Sequence, residues 1–161
     1  MIRAGATYSD NLKHRYRCWR RWDDNILPVL FMVMRPSHLP IAEDMDLHET
    51  SARQLGYGGF EICSFYAAET GGGDAIGPDN MAEVFAAIHV CSTVVFDIAP
   101  WEPEAGYEMA MMMGMRQAAH DNTDFRIATE HLSGRIVKTA PFNDWPLDRE
   151  DAPELPESTP E

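Results

Sequence analysis

The chain has 161 residues, is 45% hydrophobic and carries a formal net charge of −13, so one domain can bury a core without metal or disulfide staples. It holds no stretch of about 18 or more uncharged apolar residues, which argues against a membrane-spanning helix, and no apolar signal-peptide core follows its first residues. Cys18, Cys63 and Cys91 are odd in number and widely spaced, so reduced thiols in a cytoplasmic protein are expected, with Cys63 and Cys91 buried as small hydrophobes.

The charge is uneven. Residues 1–21 hold six basic side chains (Arg3, Lys13, Arg15, Arg17, Arg20 and Arg21) against Asp10 alone, and all the excess acid lies beyond them. A general nucleic-acid sleeve needs basic surface and is not expected. The basic strip reads either as a solvated strand pair or as a contact for one or two phosphates.

Tyr8 to Arg21 reads as an irregular N-terminal strand or hairpin, and Asp23-Asp24-Asn25 as a turn. Ile26 to Met34 is an almost unbroken apolar run, the pattern of a strand buried on both faces, and it stops at Arg35-Pro36-Ser37-His38. Asp44 or Asp46 is a candidate cap for a helix to about Leu55, with Gly56 as its stop. A second strand is expected over Phe60 to Tyr66, and a helix over Gly77-Pro78-Asp79-Asn80 to about Val90. Thr93 to Ile98 is a third strand, followed by the Pro100-Trp101-Glu102-Pro103 loop and a helix to about Met115. Phe125 to Ala128 and Arg135 to Thr139 are two weaker strands. This order predicts an α/β fold: a three-layer Rossmann-like domain over residues 1–143, with a mostly parallel central sheet and an N-terminal antiparallel strand or hairpin. Residues 144–161, rich in Pro and acid, are expected to be a disordered tail.

In an open parallel sheet, ligands bind at the carboxyl ends of the strands. The loops there carry Arg35, Ser37 and His38, then Ser64 and Tyr66, then Asp97 through Glu108, a kit suited to a small polar ring such as a nucleobase. Asp97, Glu108 and Ser37 are the candidate catalytic groups. Arg35, His38, Ser64, Tyr66, Asn80 and Trp101 are the candidate substrate contacts. Each also has a structural reading. Arg35 pairs with a carboxylate, Ser37 closes a turn, His38 is a surface imidazole, Asp97 ties down a loop, and Glu108 answers the helix dipole. Met109, Met111, Met112, Met113 and Met115 cover several helix faces, so an exposed Met and self-association through that helix are expected. His120, Asp121, Asp124 and His131 match no zinc spacing. There is no P-loop, GxGxxG or GxSxG, so no metal or cofactor is expected.

Several landmarks occur in order: Arg15-Tyr16 with Arg20 and Trp22, Met34-Arg35-Pro36-Ser37, Gly56-Tyr57-Gly58-Gly59, Ser64-Phe65-Tyr66-Ala67, and Gly77-Pro78-Asp79-Asn80. Over residues 8 to 99, and more weakly to 142, the chain resembles the bacterial and phage family catalogued as domain of unknown function 1643. That family's layout is in turn similar to uracil-DNA glycosylases, with a Pro-containing loop, an Asn-bearing strand and a late His-Pro motif around a base pocket. Where the family reads Leu-Asn-Pro-Ser-Thr and Asn-Leu-Phe-Ala, this chain has Met34 to His38 and Ser64 to Ala67, and Ala140-Pro141-Phe142 lacks the late histidine. A shorter stretch, Asp97 with Glu108-Met109-Ala110 and Gly114, is similar to nucleoside 2-deoxyribosyltransferases. That resemblance implies a Glu108 nucleophile with Asp97 orienting the substrate.

The leading expectation is a protein that binds or processes a nucleobase, nucleoside or nucleotide, with N-glycosidic chemistry. The alternatives are a non-catalytic acidic binding or inhibitor protein, such as a phage nucleic-acid mimic or anti-defence factor meeting a protein partner through its acidic surface, and a deoxyribosyltransferase-like enzyme.

Overall fold

A computed structural model describes residues 1–71, 73–98 and 106–142. The expected tail and Trp101 therefore lie outside the described residues. Among the described residues, seven strands and three helices follow in the order β1 (Arg3–Tyr8), β2 (Arg15–Arg21), β3 (Val29–Val33), α1 (Ile41–Gln54), β4 (Gly59–Ser64), α2 (Asn80–Val90), β5 (Thr93–Asp97), α3 (Tyr107–Ala118), β6 (Asp124–Leu132) and β7 (Arg135–Pro141). They form one sheet in the order β1-β2-β4-β3-β5-β6-β7. The four central strands, β4-β3-β5-β6, are parallel, and each side is extended by antiparallel strands. No helix among the described residues is long and apolar enough to cross a membrane.

The apolar runs explain the burial. In β3, Leu30 and Met32 pack with Val94 and Phe96 of β5 against Val84, Ile88, Met111 and Met115 of α2 and α3. The alternate residues Val29, Phe31 and Val95 pack against Met45 and Ala52 of α1. Period-two alternation thus splits each continuous apolar strand between two cores.

Several expectations shift. The N-terminal hairpin begins at Arg3, five residues before Tyr8. Helix α1 starts at Ile41 directly after Pro40, with no side-chain cap. Proline fixes its own φ and needs no amide partner, so the helix begins there. Asp44 lies inside the first turn and Asp46 pairs with Arg20 at 2.7 Å, so neither caps. Gly56 does follow the helix, at φ +91°, a conformation glycine adopts without strain. Gly58 has a different reason: a Cβ there would lie 2.3 Å from the carbonyl oxygens of Asp23 and Ile26. The two weak C-terminal strands are longer than expected and form a hairpin. Ser133 and Gly134 both take positive φ (53° and 79°), the conformation of a two-residue hairpin turn.

The five methionines of α3 are all buried, between 0% and 8% exposed. The exposed Met on which self-association through this helix was expected is absent among them. The arginines of the basic strip are also spent internally. Trp19 pairs with Glu61 across β2 and β4, which puts Arg17 and Arg21 diagonal to Glu61; both bond its fully buried carboxylate, Arg17 Nε at 2.7 Å and Arg21 at 2.9 Å. Burial pushes that carboxyl upward against the opposing pull of the two guanidinium groups. Arg20 holds Asp46 and Glu49, and Arg3 holds Asp24. All three cysteines are free and buried. Burial raises the Cys18 thiol to about 12 and pushes Cys63 and Cys91 up as well.

Candidate functional site

Strand β3 leads to β4 on one side, while β5 lies on its other side. The carboxyl ends of β3 and β5 therefore mark the topological switch point. A cavity of about 300 Å³ opens there on the α1 side. Its polar wall consists of Ser37, Asp44, His48, Ser51 and Asp97. Val33, Leu39, Leu47 and Ile136 supply apolar surface, and Gly134 of the β6–β7 hairpin completes the rim.

The sequence positions each of these groups. Asp97 ends β5 in register with Val33, one residue after the apolar run stops. Its Oδ1 accepts a hydrogen bond from His131 Nε2 at 2.8 Å. His131 reaches Asp97 because β6 runs on past its last pairing with β5, and register shifts on both sides of Glu130 re-aim the strand. Asp44, His48 and Ser51 recur at spacings of four and three along α1, which brings them onto one helical stripe. His48 Nδ1 donates to the Asp44 carbonyl at 2.8 Å, which leaves Nε2 as the acceptor in the neutral ring. Ser51 Oγ donates to the Leu47 carbonyl and accepts from the Ile136 amide at 2.9 Å, which ties α1 to β7. Behind Asp44, the nearly buried Arg15 lies 3.9 Å from both Asp44 and Glu69.

The opposite face of the same sheet edge carries a second polar group. Tyr66 Oη donates to Glu108 at 2.6 Å, and the Arg35 guanidinium lies 4.7 Å from the Tyr66 ring centroid. Asn80 is fully buried, and its Nδ2 donates to the carbonyls of Ser64 and Phe65 and to Tyr107 Oη, at 2.9, 3.1 and 3.1 Å. Tyr107 Oη donates to the Phe65 carbonyl at 2.6 Å, and burial raises its hydroxyl to about 12.

The expected site residues therefore divide. Ser37 and Asp97 share the cavity, and Ser37 Oγ also closes its turn by accepting the Leu39 amide at 3.1 Å. Glu108, Arg35 and Tyr66 cluster on the α2–α3 face, so among the described residues Glu108 does not line the cavity that Asp97 lines. Ser64 and Asn80 join strand to helix through the Ser64 carbonyl. His38 is exposed and outside the cavity lining. His131 belongs with Asp97, whereas His120 bonds the His89 carbonyl at 3.0 Å. Asp44, His48 and Ser51 were not anticipated as site residues, although their polar spacing on a helix was a readable signal.

Comparison with protein-family models, curated proteins and solved structures found no match to this chain.

Proposed function

We propose that the chain binds a nucleobase, nucleoside or nucleotide in the α1-face cleft and hydrolyses an N-glycosidic bond there. The observation that carries this reading is the Asp97–His131 pair, with Asp97 on the wall of a cavity of about 300 Å³ at the switch point. That volume lies at the lower end of the usual range for ligand pockets and suits one ring or one nucleoside. We read the surrounding architecture as a three-layer Rossmann-like domain, the setting in which such an edge binds ligands. The resemblance to the unknown-function 1643 family and its glycosylase-like layout supports the same place, since Ser37 of the Met34–Ser37 loop lines the cleft.

In this mechanism Asp97 accepts a proton from water as the water oxygen bonds to the anomeric carbon. The carbon–nitrogen bond breaks, and the leaving ring nitrogen takes a proton from solvent. His131 holds the carboxylate in place, a positioning role, and His48 Nε2 and Ser37 meet the polar edge of the ring. Thermal-shift titration against nucleobases, nucleosides and nucleotides tests the proposal, because a ligand that binds only the folded chain at 100-fold excess over Kd stabilises it by about 2.7 kcal/mol. A concentration-dependent shift that disappears in Asp97→Asn is expected. If no member of the panel shifts the wild type, the proposal is wrong.

A further inference from the structure

We infer that the cleft selects an unphosphorylated ring bearing an exocyclic amine, and discriminates against nucleotides; the inference rests on reading this cleft as the nucleobase or nucleoside site. Its charge pattern leads there. Among the described residues, two carboxylates line the cavity and no lysine or arginine does. The Arg15 guanidinium beside Asp44 is 5% exposed and held between Asp44 and Glu69. Arg35 is on the other face of the sheet edge, over Tyr66.

The amino end of α1 is the place where a phosphate would ordinarily dock in such a fold. Here the first turn already carries Glu43 and Asp44, and Asp44 faces the cavity. A phosphate dianion would meet two fixed carboxylates in a partly desolvated cleft, within a chain of net charge −13. The same groups favour N–H donors. Asp97 and Asp44 accept, Ser37 and Ser51 carry hydroxyls, and His48 Nε2 accepts in the neutral ring. Aliphatic Val33, Leu39, Leu47 and Ile136 offer surface to the ring faces.

Isothermal titration with four matched ligands, each compared with its 5′-monophosphate, tests the inference on the full chain. Adenosine and cytidine carry an exocyclic amine where inosine and uridine carry a carbonyl. Binding of adenosine or cytidine at least about tenfold tighter than its monophosphate is expected, the equivalent of about 1.4 kcal/mol. Each amine should also bind several-fold tighter than its carbonyl counterpart. Asp97→Asn should narrow the phosphate discrimination while the variant keeps its melting temperature. Monophosphates binding as well as the nucleosides, or inosine and uridine matching adenosine and cytidine, would overturn the inference and leave the site reading standing. No heat from any of the eight ligands, with Asp97→Asn folded and equally silent, would overturn both.

Discussion

The two faces of one sheet edge use similar residues for opposite ends. On the α2–α3 face, Tyr66 bonds Glu108 at 2.6 Å and Asn80 Nδ2 bonds Tyr107 Oη at 3.1 Å; Glu108 and Asn80 are buried, and Asn80 Oδ1 alone of the Asn80 amide atoms has no partner among the described residues. On the α1 face, Asp97, Ser37 and His48 surround an open cavity, His131 bonds Asp97 from beside it, and the Asp97 and His131 side chains remain 27% and 44% exposed. Polar groups that bond one another in a buried setting contribute stability, whereas polar groups facing a cavity are placed to recognise something else. The difference predicts that substitutions on the first face change stability and those on the second change binding.

The largest expected effect is on the closed face. Asn80→Ala removes three hydrogen bonds from a fully buried position and should cost about 3 kcal/mol in denaturant unfolding, with residual ligand affinity preserved in the folded fraction. Tyr66→Phe removes the 2.6 Å hydrogen bond to the buried Glu108 carboxylate and should cost about 2 kcal/mol. A cost under about 0.5 kcal/mol for both would erase the distinction between the faces. Tyr107 adds a pH signature. Its folded hydroxyl is raised to about 12 from an ordinary value of 10. The stability it contributes is complete below pH 10 and is lost as pH rises through about 12. Tyr107→Phe should therefore flatten the alkaline limb of the stability curve, and an unchanged limb would contradict that assignment. On the open face, Asp97→Asn should change stability by about 0.5 kcal/mol or less, because a partly exposed hydrogen-bonded pair contributes little.

Much of this frame was legible in the sequence, and the reason is particular. Val29 to Val33 and Val94 to Phe96 are apolar on both faces, a pattern that fits a central parallel strand. Gly56, Gly58 and Gly77 mark tight backbone places: Gly56 and Gly77 take positive φ, and a Cβ on Gly77 would come within 2.8 Å of Tyr16. The landmarks that carried the resemblance thus serve largely as scaffold. Arg15 is locked against Asp44, Tyr16 Oη accepts the Asp79 amide, and Asn80 stitches β4 to α2.

The site was less legible because it depends on which face each side chain takes. Asp97 and Glu108 are eleven residues apart and both sit near the sheet edge, yet strand alternation puts Asp97 with Val95 on the α1 side while α3 carries Glu108 to Tyr66. The Asp97–His131 bond depends on the Ser133–Gly134 hairpin turn and on the irregular register around Glu130, a long-range arrangement with little local trace. Asp44, His48 and Ser51 form a polar stripe that reads equally as a solvated helix face until β7 is laid across it through Ile136.

The claim that the open α1 face is the working one is tested most directly by adenosine titration of wild type, Asp97→Asn and Tyr66→Phe under identical conditions. Asp97→Asn is expected to lose at least tenfold in affinity at nearly unchanged stability, about 1.4 kcal/mol of binding. Tyr66→Phe, though less stable, is expected to bind within about twofold of wild type. Affinity lost in Tyr66→Phe and retained in Asp97→Asn would refute the claim and move the site to the opposite face.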